Sequence, residues 1–117
     1  MKILVCGGRT YGDRITLFAI LDRVLAKHPG LTVIQGGAKG ADLLAKAWAE
    51  ARGIPVETFV ADWEHQGRSA GPKRNKRMLE VGQPDAVIAF PGGIGTGHMV
   101  GIARKSGVPV WEPITYR

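Results

Sequence analysis

Short, nearly unbroken apolar runs alternate with stretches of helical period along the whole chain. The runs at 3–6, 32–35, 56–60, 86–90 and 109–111 are too short for helices and too continuously apolar for strands wetted on one face. Between them lie four segments of helical period. Residues 13–28 carry Ile15, Phe18, Ala19, Leu21, Val24 and Leu25 in a stripe that also includes Asp22; Asp13 stands at the N-cap position and Pro29-Gly30 stops the segment. Residues 41–52 repeat the pattern with Leu44, Ala45, Trp48 and Ala49 and end at Gly53-Ile54-Pro55. A third helix is expected to open at Gly71-Pro72, placing Asn75, Met78, Leu79 and Gly82 on one face. A fourth covers 96–105 and ends at Ser106-Gly107. Strands buried on both faces and joined by helices predict an α/β fold: one three-layer, Rossmann-like domain with a five-stranded parallel sheet in the order 3-2-1-4-5.

Three glycine turns follow strands of that sheet. The first is Gly7-Gly8-Arg9-Thr10, the second Gly36-Gly37-Ala38-Lys39-Gly40-Ala41-Asp42, the third Pro91-Gly92-Gly93-Ile94-Gly95-Thr96. A glycine turn from a strand into a helix directs backbone N–H groups and the positive helix end at one spot, which suits a phosphate or carboxylate. With the first and fourth strands adjacent, 7–9 and 92–96 face each other across a crevice at the carboxyl edge. None of the three matches GxxxxGK[ST], and none has the spacing GxGxxG, so a P-loop NTPase and an ordinary dinucleotide dehydrogenase are disfavoured. Arg9 and Lys39 project from these turns and can neutralise phosphate. Asp42 either complements a helix dipole or accepts a ribose hydroxyl.

The stretch 61–71 is long for a connection in so compact a fold and leaves the third strand at the same edge, so it reads as a site flap bearing Asp62, Trp63, Glu64, His65 and Arg68. Trp63 either stacks on a base or packs beneath the flap. His98, just after Thr96, is a proton donor or merely exposed. Asp62, Glu64 and His98 are the candidate catalytic groups. Five of the chain's net positive charges, +6 in all, sit at Arg68, Lys73, Arg74, Lys76 and Arg77 with no acid between them. That patch is either a solvated helix face or a collector of anions. Arg74 borders Asn75 at the site end of its helix, whereas Lys73 and Arg77 should point outward.

Three histidines and the single Cys6 show no metal-ligand spacing, so neither metal nor cofactor is expected, and Cys6 reads as a small buried apolar residue. No run approaches the length of a membrane span and the first residues lead directly into a strand, so a cytoplasmic protein is expected.

These motifs together, Gly7-Gly8-Arg9, Gly36 to Asp42, Ala61-Asp62-Trp63, Ala70 to Asn75 with Met78, and Phe90 to Thr96 with Met99, resemble the SLOG superfamily. More narrowly they are similar to its YspA/YpsA-related branch, a family of unknown function in bacteria and their phages. The resemblance implies a nucleotide-like ligand, such as AMP, ADP-ribose or NAD, and a homodimer. The LOG phosphoribohydrolases of the superfamily cleave nucleoside monophosphates with a PGGxGTxxE motif and a preceding arginine. Pro91, Gly92, Gly93, Gly95 and Thr96 match that motif and Arg74 resembles the arginine, but Met99 occupies the glutamate position. The resemblance therefore implies ligand binding first, with two alternatives: a nucleotide N-glycosidase using a displaced carboxylate, or nucleic-acid binding through 68–77.

Overall fold

A computed structural model describes residues 1–114. Its elements run β1 (Lys2–Cys6), α1 (Arg14–Lys27), β2 (Thr32–Gln35), α2 (Ala41–Ala51), β3 (Val56–Thr58), α3 (Trp63–Gln66), a 3₁₀ turn (Gly67–Ser69), α4 (Ala70–Glu80), β4 (Ala86–Ala89), α5 (Ile94–Lys105) and β5 (Val110–Trp111). The five strands are parallel in the order β3-β2-β1-β4-β5, as expected.

Successive side chains of a strand point to opposite faces, and β1 shows what that does here. Ile3 and Val5 enter a core with Leu17 and Leu21 of α1, Val33, Trp48 of α2 and Phe90. Leu4 and Cys6 enter the other core, with Ile34, Met78 of α4, Val87, and Met99 and Ala103 of α5. Both faces of β1 are dry, which is why its sequence is continuously apolar. Asp22, in the apolar stripe of α1, serves a buried group: its Oδ1 accepts from the indole Nε1 of Trp48 at 2.9 Å, and its carboxylate also takes the guanidinium of Arg52. Both bonds hold the Asp22 carboxyl below the usual carboxylate range, Arg52 contributing more than Trp48.

The structure corrects the expectation for 61–71. That stretch is helical over most of its length. Asp62 caps α3 by accepting from the His65 amide at 3.2 Å, Ser69 Oγ donates to Gln66 O at 2.8 Å, and α4 begins at Ala70. The Trp63 ring lies against Gly71, which fastens the segment to the first turn of α4. β3 ends at Thr58, short of 60, because its last ladder bond runs from Phe59 N to Gln35 O and the exposed Val60 has already left the sheet. α5 begins at Ile94, two residues before Thr96, capped by Gly93. Among the described residues no helix is long and apolar enough to cross a membrane.

Candidate functional site

β1 and β4 are neighbours, so their carboxyl ends bring the first and third glycine turns together: Gly8 N donates to Pro91 O at 2.8 Å. A cavity of about 300 Å³ opens beside this contact. Gly7, Gly8 and Arg9 form one wall and Gly93, Ile94, Gly95 and Thr96 the opposite one. Cys6, Met78 and Met99 supply apolar surface, while Ala38, Asp42, Arg74 and Asn75 close the side beneath β2 and α4.

The three turns do not present their amides alike. In the second, Gly37 N donates to Gln35 Oε1 at 2.5 Å and Ala38 N to Asp42 Oδ2 at 3.3 Å. Ala41 N reaches across to Gly8 O at 3.2 Å, and Gly8 N is taken by Pro91 O. The expectation that all three turns offer donors is thus corrected: the first two spend much of theirs in holding the crevice together. Gly40 makes this approach possible. Its φ is +82°, and a Cβ there would stand 2.7 Å from the carbonyl oxygen of Arg9. At α5 the first helical bond runs from Gly97 N to Gly93 O at 3.0 Å, so the amides of Ile94, Gly95 and Thr96 have no partner among the described residues. Donors and the positive helix end therefore coincide at the third turn.

Opposite lies a connected polar wall. Half-buried Arg74 donates through Nη1 to Gly36 O at 2.7 Å and through Nε to Asn75 Oδ1 at 3.0 Å. Because Nε can only donate, the Asn75 atom facing it is the oxygen. Its Nδ2 then donates to Gly95 O at 3.2 Å and to His98 Nδ1 at 3.1 Å, which leaves the imidazole proton on Nε2. Burial raises the Asp42 carboxyl above its ordinary value, against the Ala38 amide, Arg74, the Gly36 amide and Arg9, which oppose the rise. Burial likewise lowers Arg74, with Asp42 opposing. The Cys6 thiol is pushed up to about 12, chiefly by burial, and is an apolar wall atom as expected.

Of the residues singled out in the sequence, Gly7, Gly8, Arg9, Ala38, Asp42, Arg74, Asn75, Gly93, Gly95 and Thr96 line this one cavity. Thr10 and Gly92 line an adjoining depression of about 500 Å³ that shares Gly8, Arg9 and Gly93 with it. Gly36 lies behind the cavity, under Arg74, and Gly37 packs toward Thr58. Lys39 is exposed and outside the lining. Trp63, half exposed, carries the guanidinium of Arg9 over its ring at 5.3 Å and so braces a cavity residue from outside. The catalytic candidates fare differently. Asp62 is occupied as a helix cap and by the His65 ring, and neither it nor Glu64 lines the cavity. His98 lines a separate groove between α4 and α5. Sequence reasoning did not foresee Cys6, Met78 and Met99 as lining residues, nor Gln35 as the acceptor that shapes the second turn; the one signal was Met99, at the position where a glutamate is otherwise expected.

Comparison with known proteins gives a consistent picture. The model of the YspA, cpYpsA-related SLOG family matches residues 1–65. The Gene 61 protein of Mycobacterium phage D29 is 40% identical, the match covering 93% of both chains. Among solved structures, that of TM1055, a structural-genomics target, superposes with a TM-score of 0.74 at 25% identity, covering 93% of this chain and 71% of the other. Acinetobacter baumannii MurG shares the fold with a TM-score of 0.58 at 16% identity, over 93% of this chain and 33% of its own.

Proposed function

This chain belongs to the YspA, cpYpsA-related SLOG family, and from that premise we propose that it binds a phosphorylated nucleoside or nucleotide-derived ligand at the carboxyl edge of its sheet. The phosphate takes the open amides at the start of α5, with the Thr96 hydroxyl beside them and the Arg9 and Arg74 guanidiniums opposite. Asp42 accepts a ribose hydroxyl, and the apolar surface of Met78 and Met99 receives the base. The single observation that carries this reading is that three partnerless amides and two guanidiniums belong to residues lining one cavity. A volume of about 300 Å³ is at the small end for ligand pockets and suits one nucleoside monophosphate. The adjoining depression gives room for the second half of ADP-ribose or NAD.

Binding without hydrolysis is the better-supported form of this function. Met99, 1% exposed, stands where LOG enzymes have their glutamate, and neither Asp62 nor Glu64 lines the cavity. Titration calorimetry with AMP, ADP-ribose, NAD and adenosine tests the proposal. The phosphorylated ligands are expected to bind at least about tenfold, or roughly 1.4 kcal/mol, more tightly than adenosine. Absence of heat from all of them up to millimolar concentration overturns the proposal. Release of free adenine from AMP, followed by chromatography, overturns the non-hydrolytic form of it.

A further inference from the structure

A second concavity lies outside the nucleotide cavity, along the seam between α4 and α5. It encloses about 410 Å³. Pro72, Leu79 and Ile102 give it an apolar floor, and Lys73, Lys76 and Lys105 stand around it, all three exposed. The acid at its edge, Glu80, is only 3.8 Å from Lys76, which leaves Lys73 and Lys105 uncompensated among the described ion pairs. His98 adds a donor: with Nδ1 accepting from Asn75, its proton sits on Nε2.

We propose that this groove docks an acidic amphipathic segment of a partner protein, with apolar side chains on Leu79 and Ile102 and carboxylates on the lysines. The combination selects among occupants. A second copy placed here about a two-fold axis would set lysines against lysines, since an isologous contact pairs each patch with itself. A nucleic acid would find no Trp, Tyr or Phe platform for successive bases, because the sole aromatic ring among the lining residues is the half-buried His98 imidazole, already held by Asn75. A helix or strand with apolar anchors and flanking carboxylates satisfies both the floor and the charge.

The test uses the intact chain labelled with ¹⁵N and, as probe, a synthetic helix of about 15 residues with leucines at i, i+3, i+4 and i+7 and glutamate elsewhere. Saturable amide shifts centred on Lys73, Lys76, His98, Ile102 and Lys105 are expected. A matched peptide with lysine for glutamate should bind at least about tenfold more weakly, as should the glutamate peptide to a Lys73→Glu, Lys105→Glu variant, because both changes turn attraction into repulsion. These two lysines are exposed and make none of the described ion pairs, and mapping on the unaltered chain does not depend on the variant. Shifts elsewhere, or equal binding of the two peptides, overturn the proposal. So does tighter binding of a single-stranded oligonucleotide at the same residues, or sedimentation as a dimer that Ile102→Glu dissociates.

Discussion

Arg74 Nη1 lies 2.7 Å from the carbonyl oxygen of Gly36, so a guanidinium of α4 is tied to the turn that follows β2. Its Nε simultaneously holds Asn75 Oδ1. Lysine offers one ammonium on a flexible stem and cannot make both bonds while presenting a planar cationic wall. Arg74→Lys is therefore expected to weaken AMP binding about tenfold and to reduce stability by about 1.5–3 kcal/mol, the range for lost hydrogen bonds to a charged group. Calorimetry and urea unfolding read the two effects separately. Full AMP affinity in a destabilised variant would reduce Arg74 to a structural brace.

Asp42 gives a pH dependence of definite sign. Burial raises its folded-state carboxyl above the ordinary value, so the folded chain holds that proton more tightly than the unfolded one. The associated stability is fully present below the unfolded carboxyl's pKa of about 3.9 and is lost as pH rises through the raised folded value, after which it stays constant. Asparagine keeps an acceptor for the Ala38 amide and cannot titrate. The stability of the wild type minus that of Asp42→Asn should consequently fall as pH rises upward from about 4, then level off. Urea midpoints of both proteins across pH 4 to 7 check this; a difference that grows in favour of the wild type with rising pH would mean that Arg74 and the amides outweigh burial.

What could be read in the sequence follows from which interactions leave a local trace. β1 and β4 are dry on both faces, and Leu4-Val5-Cys6 and Val87-Ile88-Ala89 announce that in one dimension, so strand order and the meeting of the first and third turns were legible. The segment 63–69 lacks an apolar period and reads as a loop, although Asp62 and the His65 amide it caps are the local sign of a helix. Within the site, arginine, aspartate and glycine advertise chemistry while Cys6, Met78 and Met99 look like core, so that part of the lining was silent. The fate of the amides was also hidden. Whether Gly37 N faces a ligand or Gln35 Oε1 depends on how a strand side chain folds back over its own turn, which no spacing rule records.

The Asp22 carboxylate bridges α1 to α2 by accepting from the Trp48 indole, whose side chain is fully buried. Asp22→Ala leaves that N–H without a partner in an apolar core, at a cost of about 1–3 kcal/mol. Asp22→Asn preserves an oxygen for the indole and should lose less than half as much, since the exposed pairing with Arg52 contributes little. Denaturant unfolding followed by tryptophan emission resolves the two; equal losses would shift the importance from the indole to Arg52.

Gly40 and Gly101 make opposite predictions from one residue type. Gly40 has φ of +82° and would drive a Cβ into the backbone of Gly8 and Arg9, where the first two turns approach each other beside the cavity. Gly40→Ala should cost more than about 1 kcal/mol, because left-handed backbone strain and a clash with immovable backbone add, and it should also displace the Arg9 wall and weaken AMP binding. Gly101 sits within α5, and a methyl group added there would meet nothing within 4 Å. Gly101→Ala should stabilise the chain by about 0.5–1 kcal/mol through the lower entropy of its unfolded state, with AMP affinity unchanged. Thermal unfolding with and without AMP separates the cases: a ligand-induced rise in Tm that survives in Gly101→Ala and shrinks in Gly40→Ala ties the approach of the first two turns to the binding site, whereas equal rises in both would detach that backbone contact from ligand recognition.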